Sequence, residues 1–443
     1  MLTIRGAVTT FIDETTEYAG DLFLDAGVVT EPDARGAADP QLEVIDASGC
    51  VVTPGLVNAH HHLMQTAFRT LPGTRGVPMA TWLPTMAAVY AEVGIDAELA
   101  FTAARAGLAE GLLSGVTTIA DHHLNWGTAG VEDSVAIASG TAAAAEELGA
   151  RLVFVRGSAR DDAELAAASA EAIVGALVAG APQGIRADGL LQVAVGPAGV
   201  HSDSPETFAL LGEVAAKYGL RRRTQANEQV DVVIALEKYG RRPIDLLEEW
   251  GWLAPDVTVA HLCAVTPDEI ARLAAAGVTG THAPACDLPM GWGIAPVAAL
   301  RAAGVTMGLG TSGGGSNDAG HLLADARLAM QVAPLVGPPI PAREALSMAT
   351  KGSALGLGRP ELGSLTLGDA ADVCVWDVSG VADAAVADPV AGLLWANPGR
   401  RPKHVIVAGR VVVRDYRLVS ADERTVTTAL EDLLASRRKH SAH

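Results

Sequence analysis

The chain has 443 residues, 49% of them hydrophobic, which is enough for a large core and too apolar for a disordered polypeptide. Its 51 acidic residues outnumber 32 basic ones, for a formal charge of −19. That balance excludes nucleic acid and anionic membrane as partners, because no basic stripe exists to neutralise phosphates.

In chain order, residues 1–55 carry short alternating strands broken by Gly, Asp and Pro. The apolar run Val51 to Val57 then leads into Asn58-Ala59-His60-His61-His62-Leu63. In an extended strand, residues two apart share a face, so His60 and His62 project together and His61 points away. Paired imidazoles at a strand end are half of a divalent-metal site.

The middle of the chain alternates strands with Ala-rich helical runs. Strands are expected at Gly115–Ala120, Arg151–Val155, Leu191–Val195, Leu220–Gln225, Val257–Ala260, Val278–Thr281 and Val305–Leu309. Ala103–Leu113, Ala163–Ala179 and Asp268–Ala276 read as helices between them. With the strand before His60 this makes an eightfold alternation, the signature of a parallel (β/α)8 TIM-like barrel over residues 56–365. The triplet Arg221-Arg222-Arg223 reads as solvated charge near a strand start.

Short strands return over 366–420, where Val405–Val413, split by Ala408-Gly409, reads as a hairpin. Neither end is long enough for its own core, so 1–55 and 366–420 are expected to combine as one small β-sandwich. Residues 421–443 read as a C-terminal helix, from Ala421 to Leu434, and a frayed tail through Arg437-Arg438-Lys439-His440. No apolar run spans a bilayer and no secretion signal opens the chain. Cys50, Cys263, Cys286 and Cys374 lack paired spacing and read as reduced buried thiols. A cytoplasmic protein is expected.

Catalytic groups in such a barrel sit at the C-terminal ends of strands. Those ends carry His60 and His62, then Asp121-His122-His123, His201, Gln225 with Glu228, His261, His282, and Thr311-Ser312-Gly313. Gln65, Trp82, His201, His282 and Asn317 are candidate substrate contacts. Gln65, Trp82 and Asn317 have plainer alternatives: a satisfied loop amide, buried area under a loop, and loop capping. His122 and His123 read as supporting groups. Gly313-Gly314-Gly315 lacks the Lys-Ser/Thr of a phosphate loop.

Val52-Thr53-Pro54-Gly55-Leu56-Val57-Asn58-Ala59-His60-His61-His62, Gly115-Val116-Thr117-Thr118, Val259-Ala260-His261 and Gly308-Leu309-Gly310-Thr311-Ser312 resemble the amidohydrolase superfamily over nearly the whole chain. Ala80-Thr81-Trp82-Leu83, Asp287 to Gly293 and Ser316-Asn317-Asp318 are most similar to its triazine hydrolase and 8-oxoguanine deaminase-like branch. The resemblance implies water attack on an N-heteroaromatic or cyclic amidine carbon, releasing an amine, ammonia or halide. It also implies a small heterocyclic substrate, a homodimer, and one divalent ion (Zn, with Fe or Mn as alternatives) on His60 and His62. His261 then orients water, and Glu228 takes the water's proton before passing it to a ring nitrogen or leaving amine.

Gln225 stands where the family pattern has a strand-five histidine, and Ser312 where it often has a strand-eight aspartate; some triazine hydrolases also place a hydroxyl residue there. An amide oxygen is a weak, hard ligand beside an imidazole. Three arrangements stay open. An ion sits on His60 and His62 with His261, His201 or Gln225 completing its shell; or Glu228 and His261 activate water without metal; or the chain binds or rearranges its ligand without hydrolysis.

Overall fold

The computed structural model describes residues 1–32, 43–127 and 129–441. The N-terminal part carries β1 (Leu2–Arg5), β2 (Thr9–Phe11), β3 (Glu17–Tyr18), β4 (Leu22–Asp25), β5 (Val28–Thr30), β6 (Glu43–Asp46) and β7 (Cys50–Pro54). The central strands are β8 (Leu56–His62), β9 (Val116–His123), β10 (Arg151–Ser158), β11 (Leu191–Pro197), β12 (Arg222–Ala226), β13 (Val257–His261), β14 (Thr279–His282), β15 (Met307–Leu309) and β16 (Ser312–Gly313). β17 (Val373–Asp377), β18 (His404–Val407), β19 (Arg410–Arg414) and β20 (Arg417–Leu418) follow.

The nine central strands form one sheet, in the order β15-β14-β13-β12-β11-β10-β9-β8-β16, and every pairing in it is parallel. β15 and β16 are one strand interrupted at Gly310-Thr311. The first half pairs with β14 and the second with β8, through Ser312↔His61 and Gly313↔His62. The sheet thereby curls into a ring, an α/β TIM-like barrel. A Cβ at Gly310 would stand 2.7 Å from the Cβ of His60, so only glycine lets the strands meet here.

Helices α1 (Met79–Val93) and α2 (Ala97–Leu113) follow β8; α3 (Val131–Leu148), α4 (Ala163–Val178) and α5 (Pro205–Tyr218) follow the next three strands. Asp96, Asp162, Ser204 and Thr266 accept bonds from backbone N–H groups three residues on. These N-caps stop the strand-to-helix loops where the Ala-rich runs begin.

A seven-stranded sheet, β20-β19-β18-β17-β7-β2-β3, mixes both ends of the chain. β17 lies antiparallel to β7 from Val373↔Pro54 to Asp377↔Cys50. The expected hairpin is β18–β19, turning at Ala408 and Gly409 with φ of 48° and 75°, the left-handed pair that matches strand twist. A four-stranded sheet, β5-β4-β1-β6, stands beside it. Leu2, Ile4 and Ile45 of that sheet share a buried cluster with Val52, Val373 and Ile406.

Arg151 at the start of β10 donates to both oxygens of Asp372, at 2.7 and 2.9 Å, and both side chains are buried. Asp372 also accepts from the Ala408 N–H. This pair ties the barrel to the seven-stranded sheet. Asp372→Ala leaves a buried guanidinium unpaired and is expected to destabilise by ~3–5 kcal/mol, read as a lowered midpoint in urea unfolding. An unchanged midpoint would show that the pair contributes nothing.

Two expectations need correction. The C-terminal helix runs from Glu423 to Ser441, so the tail through residue 440 is helical. Arg437 anchors it by bonding Asp96 and the Gly94 carbonyl. The arginine triplet is not solvated charge either. Arg222 pairs with Asp256, and Arg223, 2% exposed, points inside the barrel and donates to the Ala59 carbonyl. Cys50, Cys286 and Cys374 are buried free thiols and Cys263 is partly buried. Among the described residues no helix is long and apolar enough to cross a membrane.

Candidate active site

The strand ends converge on a buried histidine cluster. The ring centroids of His60 and His62 lie 4.9 Å apart, and those of His60 and His261 5.3 Å. His61 faces away and bonds Thr311 Oγ1 at 2.8 Å, as strand alternation requires. His62 Nδ1 donates to the His122 carbonyl at 2.6 Å, which leaves its Nε2 lone pair toward the cluster. His122 thus supports the pair through its backbone.

Gln225 lies between two of these rings. Its Oε1 is 3.2 Å from His60 Nε2 and 3.0 Å from His261 Nε2, while its Nε2 donates to the Ala198 carbonyl at 3.1 Å. An amide oxygen has two lone pairs, so one oxygen can serve both imidazoles. His261 Nδ1 donates to Asp287 Oδ1 at 2.6 Å, fixing the ring with Nε2 toward Gln225 and toward Glu228 Oε1 at 3.6 Å. Burial by itself pulls the His261 pKa down. The charge and hydrogen bond of Asp287, with Glu228 and Asp231, outweigh it and hold it above the ordinary value.

Burial, reinforced by neighbouring rings and Arg223, holds His60 well below the ordinary imidazole value. His62 is pushed down to about 4, chiefly by burial. Both are neutral at pH 7 and offer lone pairs. Glu228 goes the other way. It is 1% exposed and its Oε2 has no hydrogen-bond partner among the described residues. Burial, then Asp231 and Asp287, pushes its pKa up to about 8 against the pull of His261.

Above the cluster lies a cavity of about 220 Å³. His62, Gln65, Trp82, His201, Gln225, Glu228 and Ser312 line it. Gln65 Oε1 accepts from the Gly315 N–H at 3.2 Å and Trp82 Nε1 donates to the Gly315 carbonyl at 3.2 Å, so both are pinned by the loop after β16. Met79, Trp82, Met86 and Tyr90, spaced three and four apart, put one face of α1 over the opening.

His282 and Asn317 stand outside this lining. His282 is 1% exposed and 3.7 Å from Asp287. Asn317 Nδ2 donates to the Thr311 carbonyl and to Asp325, and the neighbouring Asp318 pairs with Arg75, the loop-capping arrangement. Sequence reasoning missed Asp287 as a partner of His261. Its signal was its place opening Asp287-Leu288-Pro289-Met290, five residues past β14. Arg160, Met290 and Trp292 also line the cavity unanticipated.

Among the described residues no three His, Cys, Asp or Glu side chains form a metal-binding group. The set able to hold a divalent ion reaches three donors only with the Gln225 oxygen: His60, His62 and Gln225. Its Oε1–Nε2 separation of 3.2 Å from His60 is close to the ~3.3 Å between neighbouring donors around an ion bound at ~2.0–2.1 Å. The residues fit the ion, with the amide as the weak member.

Residues 51–412 match the model of the amidohydrolase family. The chain belongs to that family. This amidohydrolase is 33% identical to the 8-oxoguanine deaminase of Pseudomonas aeruginosa, covering 96% of this chain and 98% of that protein. It is 32% identical to a 5-methylthioadenosine/S-adenosylhomocysteine deaminase of Halobacterium salinarum, covering 92% and 91%. Among solved structures it is similar to the atrazine chlorohydrolase of Arthrobacter aurescens complexed with zinc, at 33% identity and a TM-score of 0.90, covering 98% of this chain and all of that one.

Proposed function

We propose that this amidohydrolase hydrolyses a C–N or C–halogen bond on an N-heteroaromatic or cyclic amidine ring bound in the cavity. The observation that carries the reading is Glu228, a buried carboxyl with its pKa raised to about 8, beside His261 at the cavity floor. Its relatives deaminate 8-oxoguanine and 5-methylthioadenosine or dechlorinate atrazine, which supports a small heterocyclic substrate.

The raised pKa adds a step ahead of the proton transfer expected from the sequence. Glu228 begins protonated and gives its proton to a ring nitrogen, which makes the adjacent ring carbon more electrophilic. Water attacks that carbon and gives one proton to the Glu228 carboxylate, which passes it to a leaving amine, and the second water proton returns to Glu228 as the carbonyl forms, restoring the acid; a halide leaves as its anion, so Glu228 keeps the first proton and the second goes to solvent. His261, oriented by Asp287, donates toward charge developing on the incoming oxygen. Ser312 and Gln65 supply hydrogen bonds from the cavity wall. Trp82 stacks on the planar ring, and His201 faces its far side. His60, His62 and Gln225 would hold a divalent ion, zinc in the first instance, which when bound polarises water as a Lewis acid.

A second reading is favoured by one contact. Gln225 Oε1 is within hydrogen-bond reach of His60 Nε2 and His261 Nε2, so these two rings have a partner without an ion, and Glu228 with His261 then activates water alone.

Because the acid form of Glu228 is required, kcat/KM is expected to fall as pH rises through about 8. The measurement is release of ammonia, amine or chloride from a panel of amino- and chloro-substituted N-heterocycles between pH 6 and 9.5. A rate that climbs across pH 8 would remove Glu228 as the acid; no release from any cavity-binding heterocycle would end the hydrolytic reading.

The two terminal sheets, residues 1–55 and 366–420, are proposed to form one β-sandwich apart from the barrel of 56–365, with 421–443 as a closing helix. Their shared apolar cluster supports this. The free thiols support a cytoplasmic protein. A homodimer is proposed from the family likeness, and gel filtration with light scattering tests it.

A further inference from the structure

One buried charge in the barrel has no counter-charge among the described residues. Arg223 is 2% exposed and donates to the Ala59 carbonyl. β12, which carries Arg223, and β8, which carries Ala59, stand four strands apart in the closed ring. The side chain therefore crosses the barrel from one wall to the other.

Its two companions in the triplet are provided for. Arg221 donates to the Pro255 and Gly356 carbonyls, and Arg222 pairs with Asp256. Arg223 has no ion pair among the described residues, and its Nε and Nη1 have no hydrogen-bond partner there. A guanidinium is charged at every pH at which proteins work, so a fixed positive charge stands inside the barrel with nothing to balance it. In a chain with 51 acidic residues against 32 basic ones, this is not for want of acids.

The charge lies beneath the histidine cluster. Ala59 immediately precedes His60, and Arg223 is two residues before Gln225 on β12, one inward-facing position below that amide. Burial first, then the neighbouring rings and Arg223, keep His60 and His122 below the ordinary imidazole value, so both rings lie within its field.

His60, His62 and Gln225 are neutral donors, and Ser312 adds no carboxylate at the strand end beside them. A divalent ion on that set brings two positive charges over a third. In a buried site of low dielectric, like charges repel far more strongly than in water. The amide oxygen is one handicap for the ion. The guanidinium is a second and separate one, because it changes no donor atom.

We propose that Arg223 sets the metal affinity of this cluster, its guanidinium opposing a divalent ion on His60, His62 and Gln225 by charge alone. This rests on the reading of those three residues as the donors. Arg223 is a positioned charge and touches neither substrate nor reacting atoms.

The test is zinc and cobalt affinity, measured on the full chain by competition with a chromophoric chelator, in the unsubstituted protein and in Arg223→Gln, Arg223→Met and Arg223→Lys. The two neutral variants are expected to bind zinc at least ~10-fold more tightly, and cobalt by a similar factor, because a charge acts alike on divalent ions. A reshaped donor set would discriminate between them. Arg223→Gln keeps a donor for the Ala59 carbonyl, so one neutral variant preserves the local bond. Arg223→Lys keeps the charge and should stay within ~3-fold of the unsubstituted protein. His62→Ala in each background should abolish binding, which locates the ion at the cluster. Neutral variants no tighter than the unsubstituted protein, a gain confined to one metal, or a lysine variant as tight as the methionine one overturns the proposal; the metal reading stands if His62→Ala still removes the ion. Binding that survives His62→Ala, or no binding in any of these proteins, overturns both.

Discussion

Replacing Glu228 with Gln is expected to lower kcat/KM by ~10²–10⁴-fold while making the protein more stable at pH 8. Gln keeps the shape and polarity of the side chain and removes its proton. The activity loss follows if the carboxyl delivers that proton to the ring. The stability gain follows from linkage. Glu228 titrates near 8 in the folded chain against an ordinary value of 4.5. Below pH 4.5 both states hold the proton. Between 4.5 and 8 the unfolded chain releases it and the folded chain keeps it, so stability drains away as pH rises through that window. Gln has nothing to release. The Tm difference between the two proteins should therefore be small at pH 5 and largest at pH 8 and above. A variant less stable at pH 8 would mean that Glu228 is ionised and favourably paired, contrary to its unpartnered Oε2.

Replacing Gln225 with His is expected to tighten divalent-metal binding by roughly two orders of magnitude, because a third imidazole replaces an amide oxygen. The unsubstituted protein, purified without chelator and then dialysed, should carry well under one equivalent of zinc. The variant should keep close to one, and competition with a chromophoric chelator gives the ratio of affinities. The substitution also removes the oxygen that accepts from His60 and His261, so both rings need a new partner, and an ion provides it. If metal content and affinity do not move, Gln225 is not a ligand and the second, metal-free reading takes precedence. If the unsubstituted protein already holds one tight equivalent, the amide is a better donor than its chemistry implies.

Much of this site was legible before any coordinates. Apolar runs ending in His60, Gln225, His261 and Ser312 mark strand ends, and a barrel brings strand ends together. Period-two alternation alone separates His60 and His62 from His61. What was not legible depends on direction and distance. Arg223 looked like surface charge because nothing in a triplet says which residue faces inward; two residues from Gln225 on β12, it shares Gln225's face. Asp287 reaches His261 across the gap between neighbouring strand-end loops, and the Arg437 partner Asp96 is 341 residues away in sequence. Asn317 has the residue type of a binding site and bonds the Thr311 carbonyl and Asp325 instead, while His282 lies buried beside Asp287, outside the cavity lining.

Ser312 has one more implication. It sits at φ +54°, at the point where β16 meets β8 and the ring closes. Most side chains resist that backbone, while Asn, Asp and Gly accept it. The position thus suits an aspartate as well as a serine. A carboxylate there asks for no rearrangement of the main chain, so the charge of the cluster can be changed at the seam while the ring stays closed.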